Sequence, residues 1–370
     1  TVTYVAKDGV YIKTFPPVGE LIRDLYDEAS CNSNNHWGIS DHDRHTREIQ
    51  GVNCSVVMAQ DHTHEVTKNY IHKKRLGMEA LWDVATETGE IACAVIVPST
   101  KTRDFSHAAK QLSLRPNFNP QAMYSDTWPC KSDYWAQLLG HEVKGRLGLF
   151  HFIQRITKTL RKTHVDYHQC IRDLLHALYY YNEHDYERLL TALKNGTLSA
   201  TGTKYTDDEI DEMKNTKLFR KRYGKYLRKE IRQPNVMRSR LEDWFNKYKC
   251  SSSDDTRPAR GRLDPTTNQS LFTSETREAW SNCKDKAEYL QDPLPLSEMY
   301  FIVSPNPNSP HGLYQYFAIR GESGIESFHN LLAHYANGGM RNSLADNLNL
   351  TGTARYNLTI RHRLRLATNL

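Results

Sequence analysis

The chain has 370 residues, 38 % of them hydrophobic, 25 % charged and 10 % aromatic, and a net charge of +6. That length allows two or three ordinary domains, or one large domain carrying an insertion. No apolar run reaches the about 18 residues a membrane span needs, so no membrane partner is expected. Neither G-x-G-x-x-G nor G-x-x-x-x-G-K-S/T occurs, which sets aside a Rossmann-type nucleotide enzyme. The seven cysteines are scattered without a C-x-x-C pair, which fits free thiols in a reducing compartment and argues against a Cys-rich zinc module. The chain opens on Thr1 with no charged-then-apolar leader, so no secretory signal is expected. The missing initiator Met suggests that further domains precede it.

In chain order, apolar residues at 21, 22, 25, 26 and 29 have helical spacing, and Cys31–Arg47 is polar and His-rich, a loop or short helix whose His36, His42 and His45 could be ligands but read more readily as scattered surface histidines. From Cys54 the pattern becomes β. Ser55–Gln60 is an apolar run of strand length ending on Asp61, with His62, Thr63 and His64 behind it. Alone, Asp61 reads as a turn residue at a strand end. A second strand is expected over Leu76–Thr86, a Gly89 turn after it, and a third strand over Ile91–Val97, ended by Pro98. Asp104 or Ser106 can cap a helix holding Ala108, Ala109 and Leu112. Ala122–Ser125 is a short strand stopping on Asp126, followed by a helix over Ser132–Leu139 and a fifth strand over Arg146–Phe152 running into Ile153–Leu160.

If the first and fourth strands are parallel neighbours, Asp61 and Asp126 project from one sheet edge, where open α/β sheets place their sites. Two carboxylates there repel unless a cation lies between them, and hard divalent ions such as Mg²⁺ take oxygen ligands.

Ile153–Asn195 reads as strongly helical, including the run Tyr179-Tyr180-Tyr181. Asp207–Lys249 continues helical, with Pro234 a break. From Lys217 to Lys249 twelve Lys/Arg stand against three acids, a surplus of nine that exceeds the +6 of the whole chain. Such density is the electrostatic footprint of phosphate binding, and Arg220, Lys221, Arg222, Lys225, Arg228, Lys229 and Arg232 are the candidate DNA contacts, with Arg361, Arg363 and Arg365 further on. Ser251–Asn268 reads as a loop, Leu271–Leu290 as a helix, and Met299–Val303 and Tyr314–Ile319 as strand-like pieces. A last helix opens near Gly321, with Ile325, Phe328, Leu332 and Tyr335 on its apolar face. Glu326, His329 and Asn330 lie together on an adjacent face at i, i+3 and i+4. Glu322 and Glu326 could also serve the helix dipole alone.

The motifs Gln60-Asp61-His62-Thr63-His64, Tyr124-Ser125-Asp126, Leu149-Phe150-His151-Phe152-Ile153-Gln154-Arg155 and Gly324-Ile325-Glu326-Ser327-Phe328-His329, in this order, resemble those of eukaryotic cut-and-paste DDE transposases and their domesticated relatives. The likeness covers residues of about 50 to 340. Gly148 departs from the pattern, standing where these sequences commonly have Asp. The resemblance implies an α/β fold: a ribonuclease H-like mixed five-stranded sheet with flanking helices, interrupted by a large, mainly helical insertion before the last catalytic helix. It divides the chain into an N-terminal segment (1–50), the first part of the core (51–156), a basic insertion (157–320) and the last catalytic helix with a basic C-terminal segment (321–370). Sixty-five residues separate Asp61 from Asp126, and 200 separate Asp126 from Glu326, a gap that needs such an insertion.

By the same resemblance, Asp61, Asp126 and Glu326 are the catalytic, metal-holding acids, for two Mg²⁺ or Mn²⁺ ions. His64 and His329 would support them. The activity implied is divalent-metal-dependent DNA strand cleavage and strand transfer on double-stranded DNA, in the nucleus, by a homodimer or higher oligomer. Two rival expectations are a domesticated relative that binds DNA without cutting it and a structure-selective nuclease on the same fold. Trp128 could stack on a flipped base, or fill the core.

Overall fold

The structure is a computed structural model. It describes residues 2–5, 12–15, 40–64, 66–69, 79–126, 131–198, 201–214, 216–249, 263–304, 313–321, 323–335 and 342–368. The helix expected near 21–29, the start of the second strand at 76–78, Trp128, Glu322 and most of the 251–268 loop lie outside these residues. The chain divides into two compact units: Thr1–Pro120 with Ser323–Ile360, and Gln121–Glu322 with Arg361–Leu370.

A ribbon pairs β1 (Val2–Val5) with β2 (Ile12–Phe15). The first unit is built on three antiparallel strands, β3 (Val57–Thr63), β4 (Ala80–Thr86) and β5 (Ile91–Val97). All seven residues of β4 are buried, as a run apolar on both faces requires. The β4–β5 turn needs a left-handed residue and has it in Gly89, at φ +82°. Helix α1 (Asp41–Gln50) starts at Ser40, whose hydroxyl accepts from the Asp43 N–H, and it buries His45, which sequence reading placed on the surface. Helix α2 (Thr102–Ser113) buries Phe105, Ala109 and Leu112. Phe105 stacks on Trp82 of β4 with ring centroids 4.8 Å apart.

In the second unit β6 (Ala122–Ser125) runs parallel to β7 (Lys144–Leu147). The five strands form one mixed sheet in the order β5-β4-β3-β6-β7. Helix α3 covers Ser132–Leu139 as expected. The fifth strand is shorter than expected: Gly148 sits extended, and α4 (Leu149–Thr157) begins after it. The helical spacing of Phe152 and Ile156, both fully buried, outweighs the strand-like composition of that stretch. Helices α5 (Tyr167–Leu178), α6 (Glu183–Lys194), α7 (Asp207–Lys214), α8 (Lys217–Tyr223), α9 (Pro234–Tyr248) and α10 (Ser274–Cys283) follow. Pro234 opens α9 rather than breaking a helix, because a first-turn N–H has no helical partner to lose. A large core joins α4, α5, α9 and α10 around Trp244, Phe272 and Trp280. The Trp244 indole N–H donates to the Cys170 carbonyl at 2.9 Å.

The tyrosine run is not helical. Tyr179–Tyr181 is strand β8, paired with β9 (Lys229–Ile231), because three successive aromatics favour a pleated edge over a helix surface. The two strand-like pieces are real and pair with each other, as β10 (Tyr300–Ser304) and β11 (Gln315–Ala318). Back in the first unit, α11 (Ser323–Tyr335) packs on β3 and β4, burying Ile325, Phe328 and Leu332. Helix α12 (Asn342–Thr368) presents Asn357, whose side-chain amide accepts from the Ile91 N–H at 2.7 Å and donates to the Ile91 carbonyl at 2.9 Å. The chain is therefore α/β, with one mixed five-stranded sheet and, among the described residues, twelve α-helices.

Candidate active site

Asp61 does not end its strand. β3 continues through Asp61 to Thr63, and the register places Asp61 directly opposite Asp83 of β4. Opposed residues of an antiparallel pair share a face, so the two carboxylates project together. Like charges in that position repel. Both are inside: Asp61 is 6 % exposed and Asp83 0 %.

Relief comes from α11. His329 reaches down so that its Nε2 donates to Asp83 Oδ2 at 2.5 Å, and its Nδ1 stands 3.9 Å from Asp61 Oδ2. One turn earlier on the same helix face, Glu326 brings a carboxylate oxygen within 4.8 Å of one on Asp61. Three carboxylates and one imidazole thus share a single nest, with Asp61, Asp83 and His329 buried and Glu326 half-buried. Burial pushes the Asp83 carboxyl up; His329 pulls it back, and Glu326 adds to the rise. Burial pulls the His329 imidazole down, but Asp83, then Asp61 and Glu326, outweigh it and hold it above its ordinary value. Both shifts mean that the Asp83–His329 pair keeps a proton more tightly than either group does in water.

The polar atoms tell the same story. Asp61 Oδ1 accepts from the backbone N–H of His62 at 2.7 Å. Asp83 Oδ1 is buried and has no hydrogen-bond partner among the described residues. With His329 protonated, the nest still carries two more negative charges than positive. Buried charge of one sign is costly unless paired or metal-bound. A set of carboxylate oxygens in excess over cations is one that could hold a metal ion.

Of the residues singled out from sequence, the first unit brings together Asp61, Glu326 and His329. Asp126 belongs to the second unit: it follows β6 directly, half-buried, and its backbone carbonyl accepts from Arg155 of α4. Lys131 is close by; burial pulls its ammonium down while Asp126 props it up. His64 is exposed in the turn after β3, and its Nδ1 donates to the Glu79 carbonyl at 2.8 Å, so it ties that turn to the start of β4. His62 is half-buried, its ring 5.6 Å from that of Phe105. Asp83 was missed, although the signal was there: an acid inside the apolar run Ala80–Thr86 is the same anomaly that drew notice to Asp61.

The basic segment is less uniform than its composition. Lys221 and Arg222 are exposed on α8. Arg228 is committed: its Nε and Nη2 donate to the two carboxylate oxygens of buried Asp185, at 2.7 and 3.0 Å, while its guanidinium lies 4.8 Å over the Tyr316 ring. Lys225, Lys229 and Arg232 lie 5.0, 4.7 and 5.0 Å over the rings of Tyr226, Tyr179 and Tyr180. Arg232 also donates to the His176 carbonyl at 2.8 Å. Arg220 is half-buried and faces the tyrosines of β8.

No family model matches the chain, and neither does any curated protein or solved structure.

Proposed function

We propose that the chain is a ribonuclease H-like DNA transposase catalytic domain that cleaves and joins DNA strands with divalent metal ions. The observation carrying this reading is the pair Asp61, buried, and Glu326, half-buried, brought together in a nest whose negative charge exceeds its positive. Asp61, Asp126 and Glu326 would hold Mg²⁺ or Mn²⁺, which supplies Lewis acidity toward the attacking and departing oxygens of a phosphodiester.

The protein's own part is electrostatic preparation. β3 and the His62 N–H fix the direction of the Asp61 carboxylate. His329 takes up the charge of Asp83, so the charge left over resides on Asp61 and Glu326. The exposed cations of α8 would hold DNA by its backbone, with strong salt dependence.

The test is cleavage of a supercoiled plasmid in Mg²⁺ by the wild type and by Asp61→Ala, Asp126→Ala and Glu326→Ala. Loss in all three supports the triad; wild-type activity in all three removes it. Activity kept in Glu326→Ala alone transfers the role to Glu322. Cutting without joining of ends would make the chain a nuclease on the same fold.

A further inference from the structure

A small recess of about 30 Å³ opens in the second unit among α5, β8, α7 and α8. Its polar lining is Arg172, His176, Tyr179, Tyr181, Lys214 and Arg220. The volume is roughly twice what one buried water needs, enough for a small tetrahedral ion and too little for a base or sugar.

The charged residues that line it are all basic, and they are incompletely matched. The Arg220 side chain makes no hydrogen bond or ion pair among the described residues. Lys229, close to Arg220 on β9, has its ammonium 4.7 Å over the Tyr179 ring, and its side chain makes no hydrogen bond or ion pair among the described residues. Burial pulls Lys229 down, and Arg320 and Arg220 pull it further. His176 is lowered by burial; Asp173 raises it, and Arg232, Arg220 and Arg172 lower it again. The acids that face this region are already taken. Asp173 accepts from Lys247, from the Tyr248 hydroxyl at 2.7 Å and from Gln169 at 2.6 Å. Asp211 accepts from Lys214 at 2.8 Å. A half-buried guanidinium facing phenol rings, with its neighbouring acids spent, is the complement of an oxyanion.

We propose that this recess is a phosphate-binding site, with Arg220 as its principal donor and Arg172 and His176 closing it. The ligand chemistry is a phosphate group, free in solution or carried on a nucleic-acid backbone. The proposal does not depend on the catalytic reading.

Calorimetric titration of the full chain in EDTA tests it, with inorganic phosphate in one arm and a short DNA duplex in the other. Wild type is compared with Arg220→Gln, Arg220→Lys and, as a control on the exposed face of the same helix, Lys221→Gln. If free phosphate is the ligand, phosphate binds the wild type and Arg220→Gln weakens it about tenfold, the loss of one charge-assisted fork. If a backbone phosphate is the ligand, duplex affinity falls about tenfold in Arg220→Gln and its salt slope drops by about one, while Lys221→Gln changes less. Arg220→Lys keeps part of the affinity in either case. The proposal is overturned if Arg220→Gln binds both ligands as wild type does, if neither ligand binds the wild type, or if Arg220→Gln and Lys221→Gln lose duplex affinity equally. Should Arg220→Gln fail to fold, Arg220→Lys and Arg172→Gln are judged by the same criteria.

Discussion

Asp185 and Asp83 are both buried carboxylates, and they are treated in opposite ways. Asp185 accepts from Arg228 three times, through Nε, Nη2 and the backbone N–H, and once from the Tyr316 hydroxyl. Its charge and its lone pairs are matched. Asp292 is held likewise by Arg320, which also donates to the Tyr300 hydroxyl and the Lys229 carbonyl. Asp83 receives one hydrogen bond, from His329, and faces two further acids. A saturated carboxylate fastens the fold. An unsaturated one among like charges carries an electrostatic cost that proton uptake or an added cation relieves.

The largest expected effect lies on the unsaturated side. Asp61→Ala or Glu326→Ala should lower DNA cleavage by at least about a thousandfold, the scale of the several kcal/mol that metal Lewis acidity supplies. Urea midpoints should barely move, since each variant removes a repelling charge; a large loss of stability would make these acids structural. Next comes the saturated side. Asp185→Ala leaves the Arg228 guanidinium without its partner and should cost about 3–5 kcal/mol in urea unfolding, with metal affinity unchanged. Asn357→Ala removes both bonds to Ile91 and should cost about 1–3 kcal/mol by the same measurement.

The finest test is pH. Asp83 and His329 both have folded values raised above their ordinary 3.8 and 6.5, so the folded nest binds protons more tightly than the unfolded chain. The metal-free chain should therefore lose stability as pH rises, beginning near the ordinary carboxyl value and continuing above the ordinary imidazole value. Thermal midpoints with and without Mg²⁺ across that range check it: the metal should flatten the slope, and Asp83→Asn should remove its lower part. A metal-free midpoint that climbs through the same window would sink this account of the nest.

Elements set by local signals were legible in the sequence. Ile91–Val97, Ala122–Ser125 and Ser132–Leu139 lie where turn residues and periodicity put them. What escaped depended on distant partners. Tyr179–Tyr181 continues a helical pattern and becomes a strand only because Lys229–Ile231, some 50 residues on, pairs with it. Asp83 gains its meaning from His329, 246 residues away. Counting charges located the basic segment, yet nothing local shows that Arg228 is spent on Asp185 while Arg220 is not.

The first unit is discontinuous, its early strands joined by Ser323–Ile360 after a 200-residue excursion. During synthesis at about 5–20 residues per second, Glu326 leaves the ribosome roughly 13–50 s after Asp61. Through that interval Asp61 and Asp83 exist without α11, and the Ile91 edge lacks Asn357. The nascent chain is thus without its full acid set until Gln121–Glu322 has been made, so a truncated product carries the basic segment but not the completed nest.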